Sequence, residues 1–102
     1  MAKAPEAKVK DVIRSALRAV GDSLWFFMPI GGMFSMPGIP DFVGVYRGRF
    51  FAIEAKSATG RPTKMQLAVH ELIRKAGGVV EIVKPGDVAI QQQVQDLLYK
   101  CL

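Results

Sequence analysis

Cysteine and histidine are nearly absent from this chain: Cys101 and His70 are the only residues of either kind. A lone cysteine excludes an intrachain disulfide and suits a reducing compartment. One imidazole and one thiol are too few for a zinc site, and nothing beside His70 builds a nucleophilic triad, so His70 reads as a packed or surface histidine in mid-helix. Internal repeats and low-complexity tracts are also missing, which excludes solenoids and tandem arrays. Charge is missing from Ser23 to Pro40, a run long enough to raise the question of a membrane span. Pro29, Gly31, Gly32, Pro37, Gly38 and Pro40 interrupt it, and a helix broken this often cannot satisfy its backbone in lipid. Met1 to Asp11 is charged and leads into an amphipathic segment, not an apolar signal core, so the expectation is a soluble intracellular protein.

What remains is a globular composition, half apolar and 23% charged. A chain of 102 residues is expected to form one domain over its whole length, 1–102. Such a domain buries about two thirds of its unfolded surface around a single core. Fourteen Lys and Arg against nine Asp and Glu give a net charge of +5. Residues 1–64 hold ten bases and five acids and residues 65–102 hold four of each, so the whole excess is N-terminal. Lys8, Lys10 and Arg14, then Arg61 and Lys64, are the expected contacts to a polyanion.

Apolar residues at Val9, Val12, Ile13, Ala16, Leu17 and Val20 recur at three and four residues and predict an amphipathic helix from about Glu6 to Val20. Leu24 to Met28 reads as a buried first strand. Pro29 to Ile39 is a loop rich in Gly and Met. Its Met33, Phe34 and Met36, with Met28, either cover the core or form a flap. Phe42–Tyr46 and Phe50–Ile53 are two aromatic and β-branched runs that predict a hairpin around Arg47-Gly48-Arg49. Thr63 and Gln66 have capping-box spacing at the start of a further helix that Gly77-Gly78 stops. Val79–Val83 predicts a fourth strand beside the second or third, and Asp87 is positioned to cap a last helix through about Tyr99.

The hairpin gives the chain its chemistry. With Arg47-Gly48 as a two-residue turn, Tyr46 pairs with Arg49, and counting back along both strands sets Asp41 opposite Glu54. A turn at Gly48-Arg49 sets Asp41 opposite Lys56 instead and keeps all three groups on one face; a three-residue turn weakens the argument. Strand alternation sends Glu54 and Lys56 to one side and Ile53 and Ala55 to the other. Converging carboxylates repel, which raises at least one pKa unless a cation lies between them, and hard oxygen donors suit Mg²⁺ or Mn²⁺. Such an ion polarises a phosphodiester and activates water, while Lys56 can orient or deprotonate that water or offset phosphate charge. Against this stands the bland alternative, a solvated strand face with cross-strand ion pairs.

The order Gly38-Ile39-Pro40-Asp41-Phe42, Phe51-Ala52-Ile53-Glu54-Ala55-Lys56, Gly60-Arg61-Pro62-Thr63 and Gln66 resembles the VRR-NUC family of the PD-(D/E)xK nuclease superfamily over roughly residues 6–84. The resemblance implies a restriction-endonuclease-like α/β fold: an αβββαβ core around a mixed four-stranded sheet, here with a C-terminal helix added. It implies Asp41, Glu54, Lys56 and Gln66 as catalytic residues, with the Ala55 backbone carbonyl as a further metal ligand. Glu6 is a weaker match to an acidic residue that many members carry on their first helix. Gln66 thus has two readings, a helix cap and a site residue. The resemblance further implies a Mg²⁺- or Mn²⁺-dependent endonuclease on structured or branched DNA, as in small free-standing viral members that act as homodimers in the cytoplasm of a bacterial or phage-infected cell. A non-cleaving nucleic-acid module on the same scaffold, and a structural partner protein assembling through the Met-rich loop or last helix, are the alternatives.

Overall fold

In a computed structural model, which describes residues 4–31 and 36–102, the elements run α1 (Pro5–Arg18), β1 (Leu24–Phe27), β2 (Phe42–Tyr46), β3 (Arg49–Ala55), α2 (Lys64–Lys75), β4 (Val79–Val83) and α3 (Ile90–Lys100). The four strands form one mixed sheet in the order β1-β2-β3-β4, antiparallel except for the parallel β3–β4 pair. This is the α/β architecture expected. The parallel pair follows from α2, which carries the chain back across the sheet before β4 begins. No helix among the described residues is long and apolar enough to cross a membrane. The expected roles of Met33 and Phe34 lie outside the described residues.

Side-chain alternation divides the sheet into two faces. Phe51, Ile53 and Ala55 of β3 and Val79 and Val83 of β4 join Val9, Ile13 and Leu17 of α1 and Val94, Leu97 and Leu98 of α3 in the main core. Val43, Ala52 and Val80 face the other way, with Ile73 of α2 against them. Helices α1 and α3 therefore cover one face, and α2 covers the β3–β4 half of the other.

That division corrects the expectation for β1. It is an edge strand whose residues alternate between half-buried and exposed, with Trp25 64% and Phe27 48% exposed. Leu24 and Phe26 pack on the main core. Trp25 and Phe27 stand on the opposite face, on the half that α2 does not reach, with their rings 5.6 Å apart.

A second correction concerns the last helix. Its N-cap is Ala89, with no side-chain cap, and it begins at Ile90, so Asp87 does not cap it. The turn at Pro85-Gly86 extends further than expected, and Gln93 holds the entry instead. The Gln93 amide donates to the carbonyls of Lys84 at 2.7 Å and Val88 at 2.8 Å, and its oxygen accepts from the Lys84 N–H at 3.3 Å.

The hairpin register is Tyr46↔Arg49 through Phe42↔Ile53. Arg47 and Gly48 both have positive φ, 50° and 83°, so the turn has the two left-handed central residues that match strand twist in a two-residue hairpin. Of the turns open from the sequence, the chain uses Arg47-Gly48.

At Gly44 the neighbouring strand comes so close that a Cβ would collide with the Trp25 carbonyl oxygen and lie 2.9 Å from the Phe26 Cα. Both are backbone atoms and cannot swing away. Gly44→Ala is expected to cost about 1–3 kcal/mol, the usual range for overpacking, whereas Gly86→Ala, where a Cβ meets nothing within 4 Å, should be nearly neutral. Thermal unfolding followed by circular dichroism measures both; equal melting temperatures would refute the crowding argument.

Candidate active site

Continuing the hairpin register one step beyond Phe42↔Ile53 sets Asp41 opposite Glu54. The Asp41 side chain is anchored there, because its Oδ2 accepts the Ala55 N–H at 2.8 Å. The Lys56 N–H donates to the Val83 carbonyl at 3.0 Å, which continues the β3–β4 ladder past the strand end and keeps Lys56 on the Glu54 side. Asp41, Glu54 and Lys56 thus share one end of the sheet, where β2 starts and β3 finishes.

Two helices complete the site. From α1, Lys10 Nζ lies 3.4 Å from Asp41 Oδ1, and Glu6 Oε1 lies 3.9 Å from Lys56 Nζ. Glu6 and Lys10 are four residues apart, so one helix face presents both. From α2, Gln66 fills both roles open to it. Its Oε1 accepts the Thr63 N–H at 2.8 Å while its own N–H donates to Thr63 Oγ1 at 3.1 Å, a complete capping box. The same amide donates through Nε2 to Glu54 Oε2 at 3.3 Å. Binding the cap with the oxygen turns the nitrogen toward the carboxylate, so the two readings are one geometry.

Glu54 is 1% exposed and His70 is fully buried, with His70 Nε2 3.4 Å from Glu54 Oε1. Burial, then hydrogen bonding to and repulsion from Asp41, push the Glu54 pKa from 4.5 to about 8, with Glu6 adding to the rise and Lys56 opposing it. The Asp41 share of this rise is the repulsion expected of converging carboxylates, and burial is the larger cause. Burial, followed by the charges of Arg74 and Lys56, lowers the His70 pKa below 6.5.

The remaining basic candidates separate. Lys8, Arg61 and Lys64 are exposed. Arg14 pairs with Asp11 at 3.6 Å, one turn back on its own helix. Lys10, read from the sequence as a polyanion contact, also stands at the carboxylates, 3.4 Å from Asp41. Charge counting could not separate it from its neighbours, because only the packing of α1 brings it to Asp41. His70 was read as a packed histidine, and it is packed, but against Glu54. Its spacing from Gln66, four residues and hence the same helix face, was the available signal.

Among the described residues no group of three or more His, Cys, Asp and Glu has a metal-holding arrangement. Two carboxylates at one sheet end are nonetheless donors suited to Mg²⁺, which typically takes one or two carboxylates and completes its shell with water and substrate phosphate.

No protein-family model matches the chain, and no curated protein matches it in sequence. A solved structure described as "VRR_NUC domain" superposes with a TM-score of 0.69 over 95% of this chain and 97% of that one, at 24% sequence identity. The fold is that of a VRR_NUC domain. The superposition takes in nearly the whole chain.

The raised Glu54 pKa links stability to pH. The folded chain keeps this proton up to about pH 8, whereas the unfolded chain releases it near 4.5, so folding binds a proton between the two values and stability falls as pH rises through that window. The His70 contribution has the opposite sign, because its folded pKa lies below the unfolded 6.5, and it fades over about one pH unit above 6.5, where the imidazole becomes neutral in both states. In EDTA the melting temperature is expected to drop from pH 6.5 to 8, and Glu54→Gln should remove most of that slope. Identical slopes in calorimetric scans would refute the assignment.

Proposed function

We propose that this protein is a metal-dependent DNA endonuclease that uses Mg²⁺ or Mn²⁺ and acts on branched or otherwise structured DNA as a homodimer. The observation that carries the reading is the pairing of Asp41 with a buried, proton-holding Glu54, beside Lys56, at one sheet end. The VRR_NUC fold supports it.

In this reading Asp41, Glu54 and the Ala55 carbonyl hold the cation, with Glu6 near enough to Lys56 to take part in the same charge network. A divalent ion bound there would polarise the scissile phosphate and lower the pKa of a water. Glu54 would release its proton to solvent on taking that role. Lys10 balances Asp41 when no cation is bound. Lys56, 12% exposed, keeps its ammonium in the site, where it can orient water or offset the charge on the pentacovalent phosphate. Gln66 keeps Glu54 in place from α2. Lys8, Arg61 and Lys64, being exposed, are the residues for phosphate contacts that position the DNA. Arg14, engaged with Asp11, is a weaker contact.

The homodimer rests on the uncovered sheet face. Trp25, Val45 and Phe50 lie side by side across three strands, each at least 41% exposed, and Phe27 follows in the next row. Contiguous apolar surface of this kind marks an association site, and a second copy of the chain would cover it while supplying a second active site for the other DNA strand.

Cleavage of labelled duplex, flap, single-stranded and four-way-junction DNA tests the activity. Wild type is expected to cut with Mg²⁺ or Mn²⁺ and not in EDTA. Asp41→Ala and Lys56→Ala should lose about a hundredfold or more in rate while still binding DNA. Wild type that binds every substrate and cuts none with any metal would instead be a non-cleaving nucleic-acid module. For the assembly, light scattering should give twice the chain mass for wild type and a single chain mass for the Trp25→Lys/Phe27→Lys variant. A monomeric wild type, free and on DNA, would rule out the dimer and leave single-strand nicking.

A further inference from the structure

His70 is the one buried imidazole of the chain, and the proposed reaction gives it no part. It is fully buried beneath Glu54, with Nε2 3.4 Å from Glu54 Oε1, and its Nδ1 has no hydrogen-bond partner among the described residues. Gln66, one turn earlier on α2, donates to the other carboxylate oxygen, Oε2, at 3.3 Å. Residues four apart stack on one face of a helix, so α2 sets one donor against each oxygen of the same carboxylate.

The ring chemistry favours one arrangement. A proton on Nδ1 would be a buried donor with nothing to accept it, which costs about 1–3 kcal/mol, whereas a proton on Nε2 points at Glu54. With Glu54 ionised, as a cation ligand must be, the ring hydrogen therefore faces the carboxylate. A carboxylate held at only one oxygen can rotate about its Cγ–Cδ bond. Held at both, it has a fixed plane, and its remaining lone pairs point in a fixed direction.

We propose that His70 is a positioning residue for Glu54: with Gln66 it forms a two-point clamp from α2 that fixes the carboxylate plane in the orientation a divalent cation requires. The inference rests on Glu54 being a cation ligand, as in the function proposed above. His70 touches neither cation nor DNA in this arrangement, and its effect passes through Glu54 alone. Partners that orient a metal ligand from behind contribute about 10–100-fold to metal affinity.

The test is Mn²⁺ binding without DNA, by electron paramagnetic resonance and calorimetry, on wild type, Asp41→Ala, His70→Leu, His70→Gln and His70→Asn. Melting temperatures in EDTA verify folding, and DNA affinity in EDTA verifies the rest of the surface. The Gln amide nitrogen can reach the place of Nε2, whereas that of Asn falls near Nδ1. His70→Leu and His70→Asn are expected to weaken Mn²⁺ binding about tenfold or more, with DNA affinity in EDTA unchanged and His70→Gln recovering most of the loss. Should His70→Leu fail to fold, the Gln and Asn pair still decides, since both are polar and differ in reach. Equal Mn²⁺ affinity in those two, or wild-type affinity in a folded His70→Leu, would overturn the clamp while Asp41-dependent binding kept the cation site. Wild type that binds no Mn²⁺ would overturn both.

Discussion

The register of one hairpin carries the site. Arg47 and Gly48 close a two-residue turn, the ladder runs back without a bulge from Tyr46↔Arg49 to Phe42↔Ile53, and Asp41 and Glu54 are left facing each other just beyond it. A slip of one residue would turn Glu54 toward α1 and α3 and set Ile53 in its place, burying a carboxylate in an apolar core. Hydrophobic patterning prevents that slip. Phe51, Ile53 and Ala55 are all fully buried on the α1–α3 side, so the pattern that builds the core also aims the carboxylate.

Around that register the charges are balanced in pairs. Asp41 has Lys10, and Lys56 has Glu6, both supplied by α1. Among the described residues Glu54 has no basic side chain within ion-pairing distance apart from the His70 imidazole, whose pKa burial lowers, and it keeps its proton instead. A site composed this way is stable without a cation yet gains from one, because an incoming divalent ion replaces a proton on one carboxylate and relieves repulsion between two. The same arrangement explains why α2 matters beyond packing. Its first turn is capped by Thr63 and Gln66, and the amide that closes the cap also reaches Glu54, so a helix start and a site residue are set by one rotamer.

Much of this was legible in the residues. The αβββαβα order, the hairpin, the capping box and the pairing of Asp41 with Glu54 all rest on local rules: turn chemistry, strand alternation and short-range capping. The misreadings share a cause. Leu24–Phe27 is apolar throughout and looks buried, but its place at the sheet edge, beyond the reach of α2, exposes Trp25 and Phe27. Asp87 has cap chemistry, but the loop after Pro85 carries it short of the helix. The contact of Lys10 with Asp41 is an omission of the same origin, since Lys10 is one base among several on a basic face until α1 is laid on the sheet.

The amino-acid order by itself determined which side chains could meet within the hairpin and within each helix, because the strand period of two and the helix period of about 3.6 are properties of the backbone. Only the tertiary structure decided what those groups meet from elsewhere. It brought His70 and Gln66 over Glu54, Lys10 to Asp41 and Glu6 to Lys56, and it left one half of a sheet face uncovered. These pairings depend on how helices lie across a sheet, which many weak apolar contacts settle together and no short stretch of sequence encodes.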